Sequence, residues 1–207
     1  MAIAMDNITI DKNAAKLFAS LPDGVAYPEG ITVNPKSGEI YVSTFNFGGN
    51  NKLLRYSPNG KLLAQINYGV TPLLGVAFNS VDDKIYICNF GLSMIHRIDA
   101  NYDEASTVEN VAQIPIIGAP PNRTVVNPDE SEEAIVYGIN FPAPNGLAFD
   151  QNSNLYISDS LQKVIFKIND ATYCIAPCPV EKIKNDGLLA KAGFPSFGAN
   201  GMGLSKA

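Results

Sequence analysis

The chain contains no tryptophan and a single histidine, and only 15 of its 207 residues are lysine or arginine. One histidine, His96, rules out a conventional histidine-paired nucleophile unless that side chain itself reaches the reacting group. With a net charge of −5 and no run of basic residues, no clustered cationic face exists for a nucleic acid. No apolar run reaches the roughly 20 residues of a membrane-spanning helix. Met1 to Asp11 has neither a basic stretch nor an apolar one, so no signal peptide is legible. As written the chain reads as cytoplasmic, unless a leader has been removed from an exported parent. A Gly-x-Ser-x-Gly motif, a phosphate loop and a dinucleotide fingerprint are all missing, which removes those classes.

Cysteine is scarce too, with three residues. Cys88 lies in a predicted strand and reads as an inert buried thiol. Cys174 and Cys178 flank Ile175-Ala176-Pro177 in a loop, near enough to close a small ring if oxidised. A disulfide and two free thiols both remain open. A metal held by these cysteines would need further Cys or His ligands close by, and there are none. Asn7-Ile8-Thr9 and Asn122-Arg123-Thr124 match the glycosylation sequon, which is too common to fix the compartment.

What the chain does have is 46% hydrophobic against 17% charged residues, sufficient for a substantial core, and a motif written three times and begun a fourth. Pro28-Glu29-Gly30-Ile31-Thr32-Val33 leads to Ile40-Tyr41-Val42-Ser43. Leu73-Leu74-Gly75-Val76-Ala77-Phe78 leads to Ile85-Tyr86-Ile87-Cys88. Pro144-Asn145-Gly146-Leu147-Ala148-Phe149 leads to Leu155-Tyr156-Ile157-Ser158. Ala199-Asn200-Gly201-Met202-Gly203-Leu204 opens the fourth copy. The runs alternate at period two, and glycine precedes tyrosine by 11, 11 and 10 residues. Third strands are predicted over 52–56, 94–98 and 164–168, each with a basic residue near its end (Arg55, Arg97, Lys167). Outer strands are predicted over 61–66, 108–114 and 180–183.

Repeats of short antiparallel strands arranged radially make an all-β propeller of four-stranded blades. Residues 1–13 read as an N-terminal tail and 14–207 as a partial propeller, with a Pro-rich, acidic loop insertion over 115–143 carrying a short hairpin near 134–137. Ala14 to Ala19 is expected to be an outer strand and Phe194 to Ala207 an inner strand without its partners. The expectation is therefore about three full blades plus orphan terminal strands, a chain cut from a larger ring. Its open strand edges would invite self-association.

The repeat aligns Glu29, Leu74, Asn145 and Asn200, each just ahead of the inner-strand glycine. In a propeller these positions converge on one mouth of the central channel. A carboxylate and two carboxamides are hard oxygen ligands of the kind calcium takes, six to eight at a time with water. Asn before Gly is also ordinary turn chemistry. Asp159 is placed to support Asn145 from behind, or to satisfy a backbone amide at its strand end. His96 belongs to a third strand, away from the axis.

The first-copy Pro-Glu-Gly, the third-copy Pro-Asn-Gly-Leu-Ala-Phe with Leu-Tyr-Ile-Ser-Asp-Ser, and the fourth Ala-Asn-Gly resemble the SMP-30/gluconolactonase/LRE-like family over residues 28–204. The resemblance implies a six-bladed propeller holding a divalent cation, usually calcium, with Glu29 and Asn145 matching ligand positions. It also implies hydrolysis of a lactone or ester. Asn200 stands where the family more often has Asp, and an amide cannot act as a general base. The third copy equally follows the rhythm of the non-enzymatic NHL repeats, in which a carboxylate at the channel mouth has no purpose. The two expectations are a calcium-dependent hydrolase acting on a small lactone or ester, and a binding propeller.

Overall fold

In a computed structural model describing residues 15–118, 120–136, 141–190 and 197–204, each complete repeat forms one antiparallel four-stranded sheet with its strands in sequential order. Blade 1 comprises β1 (Pro28–Val33), β2 (Ile40–Thr44), β3 (Asn51–Tyr56) and β4 (Leu62–Gly69). Blade 2 comprises β5 (Leu73–Asn79), β6 (Lys84–Asn89), β7 (Met94–Asp99) and β8 (Glu109–Gln113). A separate hairpin, β9 (Arg123–Val126) and β10 (Glu132–Ile135), follows. Blade 3 comprises β11 (Pro144–Phe149), β12 (Leu155–Asp159), β13 (Val164–Ile168) and β14 (Glu181–Asn185). Among the described residues the only helical turn is a 3-10 turn at Gly187–Leu189. No described helix is long and apolar enough to cross a membrane. The all-β reading holds.

Strand register explains the constant glycine-to-tyrosine spacing. Tyr41 pairs with Thr32, Tyr86 with Ala77 and Tyr156 with Ala148, so each tyrosine sits opposite the same point of its inner strand. Tyr41 and Tyr86 are fully buried. The cores lie between blades. Tyr41, Leu53, Val76, Ile85 and Ile87 pack between blades 1 and 2, and Leu74, Tyr86, Leu147, Ile157 and Phe166 between blades 2 and 3. The basic residues near the third-strand ends reach across as well. Arg55, paired with Glu39 at 2.9 Å, donates to the Tyr102 carbonyl, and Arg97, paired with Glu109 at 2.7 Å, donates to the Ala171 carbonyl. Lys167 instead lies over its own blade's Tyr156 ring at 5.7 Å.

Blade 1 differs from the others on one face. Ile31 is 67% exposed, whereas its repeat equivalents Val76 and Leu147 are 8% and 9% exposed because each packs on the blade before it.

Three expectations change and one open alternative is settled. Residues 15–19 form no strand; they lie across blade 1, where Phe18 meets Tyr56 edge-on and the Tyr56 hydroxyl donates to the Ser20 carbonyl. Residues 197–204 form no strand either; the Ser158 and Ser160 hydroxyls and single backbone bonds from Gly198 to Ser160 and from Ala199 to Leu189 hold them in place of a ladder. Within the insertion, the hairpin sits at 123–126 and 132–135, with Asn127–Ser131 as its turn, rather than near 134–137. Cys174 and Cys178, left open from the sequence, are bridged, with Cα atoms 5.8 Å apart. Cys88 is a free, buried thiol as expected. Ala14, Ala119, Tyr137, Phe194 and the Asn7 sequon lie outside the described residues.

Candidate functional site

Each inner strand breaks register at the same place. The irregularity falls between Pro28 and Ile31, between Leu73 and Val76, and between Pro144 and Leu147. A bulge re-aims side chains at a strand end, and these bulges contain Glu29, Leu74 and Asn145. The neighbouring glycines are required by close approach. A Cβ on Gly30 would stand 2.6 Å from the Leu74 carbonyl oxygen, and one on Gly146 2.6 Å from that of Asn200.

A serine bridges each of these approaches. The Gly30 N–H donates to Ser43 Oγ at 3.0 Å, and Ser43 Oγ donates to the Leu74 carbonyl. The Gly146 N–H donates to Ser158 Oγ at 2.8 Å, and Ser158 Oγ donates to the Asn200 carbonyl at 2.5 Å. In blade 2 Cys88 takes the serine position. Burial pushes the Cys88 thiol up, with the Asp159 charge adding to the effect. Ser43 thus holds Leu74, and Ser158 holds Asn200, by the main chain, leaving the side chains at those two positions outside the bridges.

Glu29, Asn145 and Asn200 do come together. All three line a cavity of about 210 Å³ floored by Gly30, Gly75, Gly146 and Gly201, and all three also line an adjoining cavity of about 160 Å³ walled by Phe45, Leu74 and Phe197. They therefore stand at the boundary between the two. Leu74, at the same repeat phase, contributes an apolar wall.

A proton chain sets the orientation of the buried Asn145. Ser160 Oγ gives its proton to the Ala199 carbonyl at 2.6 Å, so it accepts from Asn145 Nδ2 at 2.9 Å. Nδ2 is thereby committed, and Oδ1 is the atom left for a ligand. The Glu29 carboxylate and Asn200 carboxamide are exposed, and neither hydrogen-bonds among the described residues. An anionic oxygen plus two amide oxygens, all uncommitted, is a donor set that suits calcium. Among the described residues no group of three or more His, Cys, Asp or Glu forms a metal cluster, so any cation here would rest on amides as much as on charge.

Asp159 faces away from that set. Its carboxylate accepts from Ala143 N at 2.9 Å, Leu161 N at 3.1 Å, and Gln162 N and Nε2 at 2.8 and 3.0 Å. Burial pushes its carboxyl above the usual range, opposed by those hydrogen bonds. It organises the turn after β12, whereas Ser160 supports Asn145. His96, in β7, stacks on Tyr68 with centroids 5.8 Å apart, and its Nε2 is buried without a partner. Burial alone lowers its pKa to about 4.

Sequence reasoning missed Ser43, Ser158, Ser160, Phe45 and Phe197. Repeat phase could have revealed four of the five, since Ser43, Cys88 and Ser158 align, as do Phe45, Phe90 and Ser160.

No known protein family and no curated protein matches this chain. Solved structures do. A gluconolactonase from Xanthomonas campestris superposes with a TM-score of 0.53 at 13% identity, over 87% of this chain and 52% of that one. A catalytically inactive virginiamycin B lyase from Staphylococcus aureus, with quinupristin, gives 0.52 at 16% identity, over 82% and 46%. A protein of unknown function from Bacteroides caccae gives 0.50 at 11% identity, over 82% and 50%. At such identities the likeness carries the fold alone. The chain is built as a β-propeller of four-stranded blades, spanning about half the length of the propellers it matches.

Proposed function

We propose that this chain carries the cation-binding part of a calcium-dependent lactone or ester hydrolase of the SMP-30/gluconolactonase-like kind. One observation supports this above others: oxygen-bearing side chains from three repeats, Glu29, Asn145 and Asn200, meet at one cavity boundary. Glu29 would supply the charge, and the hydrogen-bonded Asn145 a fixed oxygen. Asn200 would add a third ligand. A divalent cation bound there would supply Lewis acidity to a carbonyl oxygen. Phe45, Leu74 and Phe197 would give that position an apolar wall on one side.

Glu29 is the sole ionisable residue lining either cavity among the described residues. Asn200 cannot accept a proton, and His96 is packed on Tyr68. With Glu29 taken up by the cation no further base remains, which favours a second reading, a non-enzymatic NHL-like binding propeller, and predicts weak or no turnover by these residues alone.

Calorimetric titration with calcium tests the site. Binding is expected to weaken more with Glu29→Gln, which removes the charge, than with Asn200→Ala. Affinity indifferent to Glu29→Gln would place the cation elsewhere. A lactone panel run with calcium and with EDTA then separates the readings: EDTA-sensitive turnover supports the hydrolase, and calcium binding without turnover supports the binding propeller.

A further inference from the structure

The smaller cavity is chemically divided. One residue beyond the second strand stands Phe45 in blade 1, Phe90 in blade 2 and Ser160 in blade 3. Of these three only Phe45 lines the cavity; Phe90 packs behind it, and the Ser160 hydroxyl is engaged by Asn145 and the Ala199 carbonyl. Phe45 lines the cavity together with Leu74 and Phe197, and the polar lining is confined to Glu29, Asn145 and Asn200. Phe45 packs among neighbouring rings: Phe47 and Phe90 meet it edge-on at 4.9 and 5.2 Å, and Phe141 meets Phe90 at 5.7 Å. Phe47 extends the same apolar surface into solvent.

We propose that this cavity takes an amphipathic ester or lactone, with its carbonyl towards Glu29, Asn145 and Asn200 and an aryl or medium alkyl group against Phe45, Phe197 and Leu74. This rests on reading the cavity as the ligand site, and it names the ligand class. A polyhydroxylated lactone is disfavoured on physical grounds. Each hydroxyl pressed against a phenyl wall loses water and gains no partner, whereas an aryl group gains edge-to-face contact with a preorganised ring. With its three polar side chains gathered at one boundary, the cavity can engage one carbonyl through a cation held there and has no polar groups on the rest of its wall for a ring of hydroxyls.

Lactams resist hydrolysis and so report binding alone. With calcium present, the lactam analogue of dihydrocoumarin is expected to bind the 207-residue chain at least about tenfold more tightly than the lactam analogue of gluconolactone, by ligand-observed NMR or calorimetry. Phe45→Ala should weaken the aryl lactam by roughly five- to tenfold and leave the sugar lactam unchanged, while Phe45→Leu should retain most of the affinity. If Phe45→Ala does not fold, Phe47→Ala decides; its exposed ring braces Phe45, and its loss should weaken the aryl lactam by about two- to threefold. Equal or tighter binding of the sugar lactam, binding of neither, or indifference of the aryl lactam to these changes would overturn the proposal. Because turnover is not read, preference for the sugar lactam sinks this inference and spares the hydrolase. Absence of turnover elsewhere sinks the hydrolase and spares this one.

Discussion

Gly75→Ala probes the closest approach between blades. A Cβ at this position overlaps the Asn145 carbonyl oxygen more severely than the 2.6 Å approaches at Gly30 and Gly146, and it also meets Asn145 C at 3.2 Å and Gly146 Cα at 3.3 Å. All three obstacles are backbone, so no rotamer change relieves them; β5 and β11 must separate. Overpacking of this kind costs about 1–3 kcal/mol, and a rigid backbone obstacle places Gly75→Ala at about 2–3 kcal/mol. For a chain of this size that lowers Tm by roughly 4–12 °C, measured by circular dichroism. Because the displaced strand carries Asn145, calcium affinity should fall as well. Gly201→Ala is the control: nothing lies within 4 Å of its Cβ, and stability should hold within about 0.5 kcal/mol. If Gly75→Ala melted with the parent, or if both variants fell alike, the claim that blades 2 and 3 meet backbone to backbone would be wrong.

Burial keeps His96 neutral down to about pH 4, while the unfolded chain protonates it near 6.5. Its contribution is therefore complete above about pH 6.5 and disappears as pH falls towards about 4, amounting to at most about 3 kcal/mol; His96→Phe should flatten this part of the urea-midpoint profile, and an unchanged slope would assign it to other groups. Reducing Cys174–Cys178, which are four residues apart, should cost about 2 kcal/mol on loop-closure grounds. The blade 2–3 contacts of that loop, Cys178 N to the Val111 carbonyl and Arg97 to the Cys174 carbonyl, should loosen in hydrogen exchange. Cys88→Ser should keep stability within about 1 kcal/mol, because Ser43 and Ser158 already place a bridging hydroxyl at this position. A loss above about 2 kcal/mol would mean that blade 2 leaves that hydroxyl unpaired.

The blades were legible because antiparallel register converts directly into spacing: a residue paired across a hairpin must recur at a constant offset, and the tyrosines did. The convergence of Glu29, Asn145 and Asn200 followed from the same phase. That 15–19 and 197–204 form no strand was not legible, since an alternating pattern becomes a strand only when a ladder partner pairs with it. Asp159 followed the second of its two readings, the satisfaction of backbone amides at its strand end. Support for Asn145 did not follow, because two backbone amides of the turn after β12, with a third from Ala143 ahead of β11, claim the carboxylate. The hydroxyl bridges span up to 42 residues of sequence, and nothing local in a serine announces a partner that distant.

Segment 197–204 has a backbone positioned entirely by its neighbours: Ser158 holds the Asn200 carbonyl, Ser160 that of Ala199, and the Ala199 N–H donates to the Leu189 carbonyl. None of these anchors involves the side chain at position 200, which makes that position a socket. Its chemistry can be exchanged without rebuilding the scaffold, so Asn200→Asp would set a proton acceptor beside Glu29 and Asn145 while leaving every anchor in place.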